Sequence, residues 1–258
     1  MECKNAEAQG DAVRGGSSSR PSGCVRHLVA LTLFGVSFGY VEAAVVVYLR
    51  AIYDPIRPHV VPDREPGDLF PLIRTDQLAA LGPQHVRRLI AELGREAATL
   101  VMVAAVAAAV ARTAQQWLAA FAMVFGVWDV FYYVFLKVIL DWPPSLLTWD
   151  LLFLLPVPWV GPVLAPLLVS IVMIVSGAWV LWRDARGRPI PLRTWHYLGI
   201  LLGGFVIVIA FCLDFRNLSA GGMPTRFPWG TFAVGMALGA ASFLHAGWKT
   251  SCTRGGTA

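Results

Sequence analysis

Two carboxylates stand inside long apolar stretches of this sequence, Glu42 in the first stretch and Asp129 in the third. An ionisable side chain away from water is costly, so it needs a partner, a water-filled cavity or a retained proton. When two carboxyl groups share one site, one of them keeps its proton to a higher pH, which suits proton relay or general acid chemistry. We therefore expect Glu42 and Asp129 to face each other as a proton-handling pair.

The surroundings of these acids occur twice, because residues 38–54 match residues 125–141 without a gap. Phe, Gly, Val, Leu, Ile and Asp recur in register, and three further pairs share their chemistry: Glu42 with Asp129, Tyr48 with Phe135, and Arg50 with Lys137. Apolar residues match by chance in such stretches, but an acid, a base and a second acid do not. The pattern predicts an internal duplication. Similar Pro-Trp pairs at 158–159 and 228–229 extend the hypothesis to three related helical hairpins.

Aromatic and acidic residues near Asp129 are candidates for a ligand-binding wall. Tyr133 lies one turn beyond Asp129, and we expect its hydroxyl to donate to that carboxylate. The other candidates for substrate binding are aromatic rings and two acids near the same membrane boundary: Trp128, Tyr132, Trp149, Trp159, Glu96 and Asp150. Such a wall suits an apolar or cationic ligand.

Each of these candidates also has a purely structural interpretation. Glu42 has two basic side chains, Arg95 and Lys137, as alternative partners in a helix-joining ion pair. Tryptophans near membrane boundaries commonly belong to the interfacial belt. Acids at helix ends, including Glu96 and Asp150, are commonly solvated. Arg50 and Lys137 are predicted to extend their charged groups toward the outer surface.

The composition predicts that helices in a membrane position these residues. Of 258 residues, 57% are hydrophobic and only 14% are charged, which is outside the range of soluble domains. Apolar runs of about 20 residues are long enough to cross a bilayer as helices. The sequence predicts an all-α integral membrane protein with six spans: 28–48, 97–111, 117–140, 159–182, 197–213 and 229–247. The second span is expected to begin before residue 97.

The net charge of +5 does not indicate a nucleic-acid partner, because the basic residues are sorted by loop. They lie before the first span, between the second and third, between the fourth and fifth, and after the sixth. By the positive-inside rule both termini are cytoplasmic, and we expect a multi-pass protein of the bacterial inner membrane. The acids at the opposite helix ends then lie on the outer side.

The predicted organisation is a single membrane domain over 26–250 between polar cytoplasmic tails, 1–25 and 251–258. The outer loop 51–94 is rich in proline and ends in an amphipathic helix over 83–93, with a bend at Gly94. Residues 145–155 are apolar but too short to cross, so they predict a re-entrant or interfacial half-helix.

Motifs of soluble enzymes, phosphate loops and metal sites do not occur, and no cofactor is expected. Three functional hypotheses remain. One is a proton-coupled carrier of a small molecule or ion, with Glu42 and Asp129 as the coupling pair. The second is a membrane enzyme acting on a lipid or isoprenoid by carboxylate chemistry. The third is an assembly or scaffold protein.

Overall fold

The computed structural model describes residues 21–61 and 69–252, without the side chains of residues 21–23 and 248–252. Six of its helices are long and apolar enough to cross a membrane, which fits the predicted polytopic class. The elements in chain order are α1 (Pro21–Tyr53), α2 (Arg57–Val60), α3 (Thr75–Ala80), α4 (Pro83–Val110), α5 (Ala114–Leu140), β1 (Trp149–Phe153), β2 (Trp159–Pro162), α6 (Leu164–Ala185), α7 (Thr194–Cys212), α8 (Phe215–Ser219) and α9 (Trp229–Cys252).

Local sequence signals place the ends of the helices that matter for the site. Gly82 has a φ of 123°, which favours glycine, and Pro83 follows as the first residue of α4. Thr113 caps α5, because its side-chain oxygen accepts a hydrogen bond from the Gln116 N–H at 3.2 Å. At the other end α5 stops at Asp141, whose left-handed φ of 51° turns the chain.

The central helix of the bundle is α5, which packs against α1, α4 and α6, while α7 packs along α9. Close approach on either side of α5 requires glycine. A Cβ on Gly39 of α1 would lie 2.9 Å from the backbone oxygen of Trp128, and one on Gly126 would lie 2.5 Å from that of Ser170. These two contacts hold α1 and α6 directly against the segment of α5 that carries Asp129.

An antiparallel β-hairpin replaces the predicted half-helix over 145–155. Strand β1 pairs with β2, and Asp150 is opposite Gly161. Apolar residues in a run of this length fit a strand as well as a helix. Two prolines, Pro156 and Pro158, interrupt the run and lie in the connection, where they do not disturb strand pairing. We term the end of the bundle that carries this hairpin the hairpin end, and the opposite end the terminal end.

The outer loop also differs from the prediction. There is no separate surface helix over 83–93 and no break at Gly94, since α4 runs without interruption from Pro83 to Val110. This confirms that the second span begins before residue 97. Two short helices, α2 and α3, lie in the loop, while residues 62–68, with Pro62 and Pro66, are outside the described residues.

The tails are shorter than predicted where the structure describes them. Helix α1 begins at Pro21, so residues 21–25 belong to it, and α9 continues to Cys252. Residues 1–20 and 253–258 are outside the described part.

The two copies of the proposed repeat lie on α1 and α5, which pack side by side. Helices α5 and α6 pack as a hairpin, whereas α1 packs mainly on α5, so common ancestry of three hairpins stays a prediction.

Candidate functional site

A cavity of about 520 Å³ extends from the hairpin end of the bundle inward as far as Phe121 of α5. Its walls come from α1, α4, α5, α6 and α7, and the β-hairpin and residues 54–57 and 69–78 contribute further lining at the hairpin end. The volume is in the range of small-molecule sites, about 300–1,000 Å³. Eight of the nine predicted site residues line this cavity: Glu42, Glu96, Trp128, Asp129, Tyr132, Tyr133, Asp150 and Trp159.

The carboxylate of Asp150 enters the cavity from strand β1. Its Oδ2 accepts a hydrogen bond from the Tyr133 hydroxyl at 2.9 Å, and its Oδ1 accepts from the Leu151 N–H at 2.9 Å. The residue is only 4% exposed. Burial raises the pKa of Asp150 to about 6, against the opposing effect of these two hydrogen bonds and of Arg50. Tyr133 therefore donates to Asp150 and not to Asp129 as predicted.

The carboxylate of Asp129 belongs to a second hydroxyl pair within the same cavity. Ser170 of α6 donates from its Oγ to Oδ2 of Asp129 at 2.8 Å. The close approach of α5 and α6 at Gly126 brings these two side chains within reach. Sequence analysis missed Ser170, although a hydroxyl residue inside an otherwise apolar span was a usable signal.

The carboxylate of Glu42 takes part in an ion pair between α1 and α4. Arg95 donates from Nη1 to Oε2 of Glu42 at 2.5 Å and also pairs with Glu92. Counted from the helix ends at Tyr53 and Leu140, Glu42 and Asp129 lie at the same depth, about 17 Å at 1.5 Å per residue. Their partners differ from the predicted pairing, because Glu42 is bound by Arg95 and Asp129 by Ser170.

Glu96 attaches the β-hairpin to α4. Both of its carboxylate oxygens accept from the N–H of Leu154, at 3.0 and 2.9 Å, in the connection between the two strands. The side chain is 5% exposed, so its carboxylate is buried and held by backbone. Together with the contact between Tyr133 and Asp150, this places the hairpin at two separate points over the cavity.

The aromatic wall is built around Trp128, which is buried. Its ring is 5.4 Å from that of Phe38 and 5.1 Å from that of Phe125, and Phe153 of the hairpin lies 6.3 Å away. Trp159 packs edge-to-face on Phe153 at 5.5 Å. The hairpin thus contributes Phe153 and Trp159 to the aromatic part of the cavity lining.

Trp149 is the predicted site residue that the structure places elsewhere. Its ring packs against Phe227, with centroids 6.2 Å apart, and it lines a separate small pocket of about 130 Å³ beside Asp214. Because side chains on a strand alternate between faces, Trp149 and Asp150 point in opposite directions.

Basic side chains at the hairpin end of the cavity were also missed. Arg50, Arg57 and Arg88 all contribute to its lining. Arg50, predicted to extend to the outer surface, lies with its guanidinium 4.8 Å from the centre of the Trp142 ring. Arg57 is 8% exposed, and its Nη1 donates to the Pro71 carbonyl at 3.0 Å. Arg50 lies eight residues after Glu42 on α1, a spacing that keeps the two side chains near one face of a helix, and this was a usable signal.

Two histidines meet at the terminal end of the bundle, and neither lines this cavity. His196 Nε2 lies 3.3 Å from His245 Nδ1. Among the described residues, no group of three or more His, Cys, Asp and Glu side chains is arranged to hold a metal ion.

Comparisons with known proteins do not assign a function to this chain. No protein-family model, curated protein or solved structure matches this chain.

Proposed function

We propose that this protein is a membrane-embedded enzyme that acts on an amphiphilic lipid by carboxylate acid–base chemistry. The observation that supports this most is the presence of two hydroxyl-bonded carboxylates, Asp129 with Ser170 and Asp150 with Tyr133, in the lining of one cavity. Apolar and aromatic walls surround them, which suits a substrate that is itself largely apolar.

Asp150 is the better placed of the two acids to exchange a proton at physiological pH. With its pKa raised to about 6 by burial, it is mostly ionised at pH 7 and still easily protonated. The Tyr133 hydroxyl donates a hydrogen bond to its Oδ2 and holds the carboxylate in place. We assign Asp150 as the general base, Tyr133 as the residue that positions it, and Asp129 with Ser170 as the group that holds the reacting part of the substrate.

The geometry favours an enzyme over the proton-coupled carrier. A carrier needs access to its site from both membrane faces, whereas the polar lining here is confined to the hairpin half of the bundle. Toward the terminal end, α1, α4 and α5 pack around the buried side chains of Leu31, Val103 and Val124. Moreover, Glu42 is held by Arg95, so it does not form the coupling pair with Asp129 that the carrier hypothesis requires.

An assembly or scaffold role gives no reason for the cavity. Buried carboxylates destabilise a membrane protein unless they are paired, and a scaffold gains nothing from placing several around an open volume. The enzyme hypothesis gives each of Asp129 and Asp150 a role that an apolar residue does not fill.

The proposal is tested by lipid mass spectrometry of cells that express the chain. Wild type is compared with Asp129→Asn and Asp150→Asn, and with Asp141→Asn as the control, because Asp141 is an exposed acid paired with Lys137 outside the cavity. We expect at least one lipid species to change with wild type and the control, and not with the two cavity variants. Identical lipid profiles for all four proteins, at equal membrane levels, contradict an enzymatic role.

A further inference from the structure

The cavity is graded in charge from the hairpin end inward. Arg50, Arg57 and Arg88 line its outer part, and Arg88 is exposed there, so this part is in contact with solvent. In the described part of the chain, neither Arg50 nor Arg88 forms an ion pair. Among the described residues of this region, Arg50 and Arg88 lie with one carboxylate, Asp54.

The other five carboxylates in the lining do not neutralise these arginines, because each already has a partner. Arg95 forms ion pairs with Glu42 and Glu92, and the Leu154 N–H donates a hydrogen bond to Glu96. The hydroxyl of Ser170 donates to Asp129, and the hydroxyl of Tyr133 donates to Asp150. None of these five carboxylates forms an ion pair with Arg50 or Arg88.

The inner part of the cavity is apolar. Phe121 and Phe125 of α5 line it together with Met173 of α6 and Ile207 of α7. Phe121 lies about 28 Å along α5 from its end at Leu140, at 1.5 Å per residue, which is close to the full ~30 Å of a bilayer core. The cavity thus runs from a cationic region at the membrane boundary to an apolar region deep in the membrane.

This order of charges matches the orientation of a lipid whose headgroup lies at the boundary and whose chain is directed inward. We propose that the substrate carries a phosphate headgroup, bound by Arg50 and Arg88, and that its apolar chain lies against Phe121, Phe125 and Ile207. A planar guanidinium donates two parallel hydrogen bonds to phosphate oxygens. Two such groups suit a multiply charged phosphate better than a single carboxylate. The inference rests on the proposed function and names its substrate class.

Phosphate on an apolar chain occurs both in isoprenoid phosphates and in glycerophospholipids, so the test uses one matched pair from each source. Binding to the purified protein in non-ionic micelles is measured by calorimetry for farnesyl phosphate against farnesol, and for phosphatidylglycerol against diacylglycerol. We expect the phosphate compound of at least one pair to bind about tenfold tighter than its uncharged counterpart, as a charge-assisted contact predicts. The pair that shows the preference identifies the source.

Variants test whether the arginines cause the preference. We expect Arg88→Gln and Arg50→Gln each to weaken binding of the preferred phosphate compound by about tenfold and to leave the uncharged compound unaffected. Arg87→Gln is the matched control, because Arg87 is an exposed neighbour that does not line the cavity. Because Arg88 is exposed, its replacement has little effect on folding. The Arg88→Gln result therefore tests the inference even if Arg50→Gln misfolds.

The inference is overturned if neither pair shows a preference for the phosphate compound, if no compound binds, or if Arg88→Gln and Arg50→Gln both bind like wild type. The same binding measurement on Asp129→Asn and Asp150→Asn distinguishes a failure of the headgroup site from a failure of the proposed enzymatic function. If these variants and wild type all prefer phosphate but wild type converts no lipid, the enzymatic role fails and the headgroup site stands. If lipid is converted without any phosphate preference, the headgroup assignment alone fails.

Discussion

The Tyr133 hydroxyl donates to Oδ2 of Asp150 at 2.9 Å and thereby joins the central helix α5 to the β-hairpin over the cavity. Both residues are buried, at 4% exposure each. The contact is structural and chemical at once, because it attaches a strand to the bundle and also positions the acid that we assign as general base. Its removal is therefore expected to change stability and titration together.

Replacing Tyr133 by Phe is expected to lower the free energy of unfolding by about 1–3 kcal/mol, the usual cost of leaving a buried polar group without its partner. Loss of the donated hydrogen bond also raises the pKa of Asp150 above its present value. Thermal unfolding in nanodiscs and carboxyl-stretch infrared spectra across pH measure the two effects. Tyr48→Phe is the control, since Tyr48 is 67% exposed. Equal stability of both variants contradicts the hairpin contact.

Stability is expected to depend on pH through Asp150. Its folded-state pKa of about 6 lies above the value of an unfolded Asp, about 3.9, so the folded protein binds the proton more tightly. The stabilisation from this proton is complete below about pH 4 and is lost as the pH rises through about 6, on the order of 3 kcal/mol. The free energies of unfolding of wild type and Asp150→Asn are measured from pH 4 to 8. The advantage of wild type over the variant must shrink or reverse as the pH rises over this interval. A constant difference excludes titration of Asp150 in this range.

The ion pair of Glu42 with Arg95 is expected to hold α1 against α4. Arg95→Gln leaves Glu42 and Glu92 without this cation, and because the pair is partly buried we expect a cost of about 1–3 kcal/mol. The double variant Glu42→Gln/Arg95→Gln is expected to recover part of this loss, because it removes one uncompensated charge. Thermal unfolding of the single and the double variant, with Arg87→Gln as the control, measures the two changes in stability. If the double variant is less stable than Arg95→Gln alone, Glu42 has a different role.

Close packing at Gly126 is expected to be essential for the contact of Asp129 with Ser170. Gly126→Ala places a Cβ 2.5 Å from the Ser170 backbone oxygen, so α6 must move, at a cost of about 1–3 kcal/mol for overpacking. Gly94→Ala is the matched control, because a Cβ there meets open space within α4. We expect Gly94→Ala to be neutral or stabilising by up to about 1 kcal/mol. Equal effects of the two variants contradict the described approach of α5 and α6.

Sequence analysis predicted the features that depend on local composition. Six membrane-crossing helices follow from long apolar runs, which have few alternative structures in a bilayer. The convergence of eight candidate residues on one cavity followed from placing acids and aromatics at one end of these helices.

The features that were missed depend on contacts between distant segments. The choice of a strand for residues 149–153 depends on pairing with 159–162, which hydrophobic periodicity does not reveal. The partner of Glu42 was open between Arg95, Lys137 and Asp129, and only the packing of α4 beside α1 decides it. Likewise Tyr133 reaches Asp150 because the hairpin folds over α5, so a prediction along one helix assigned its hydroxyl to Asp129.

The central claim is that Asp129 and Asp150 act on a lipid within the cavity, and reconstituted conversion tests it most directly. Purified wild type, Asp129→Asn, Asp150→Asn and Asp141→Asn are incubated in nanodiscs with a total lipid extract, and lipid species are followed over time by mass spectrometry from pH 5 to 8. We predict conversion by wild type and Asp141→Asn, with a rate that rises through about pH 6 as Asp150 ionises, and none by the two cavity variants. Conversion at wild-type rates by Asp129→Asn and Asp150→Asn, or no conversion by any folded protein, would contradict the account.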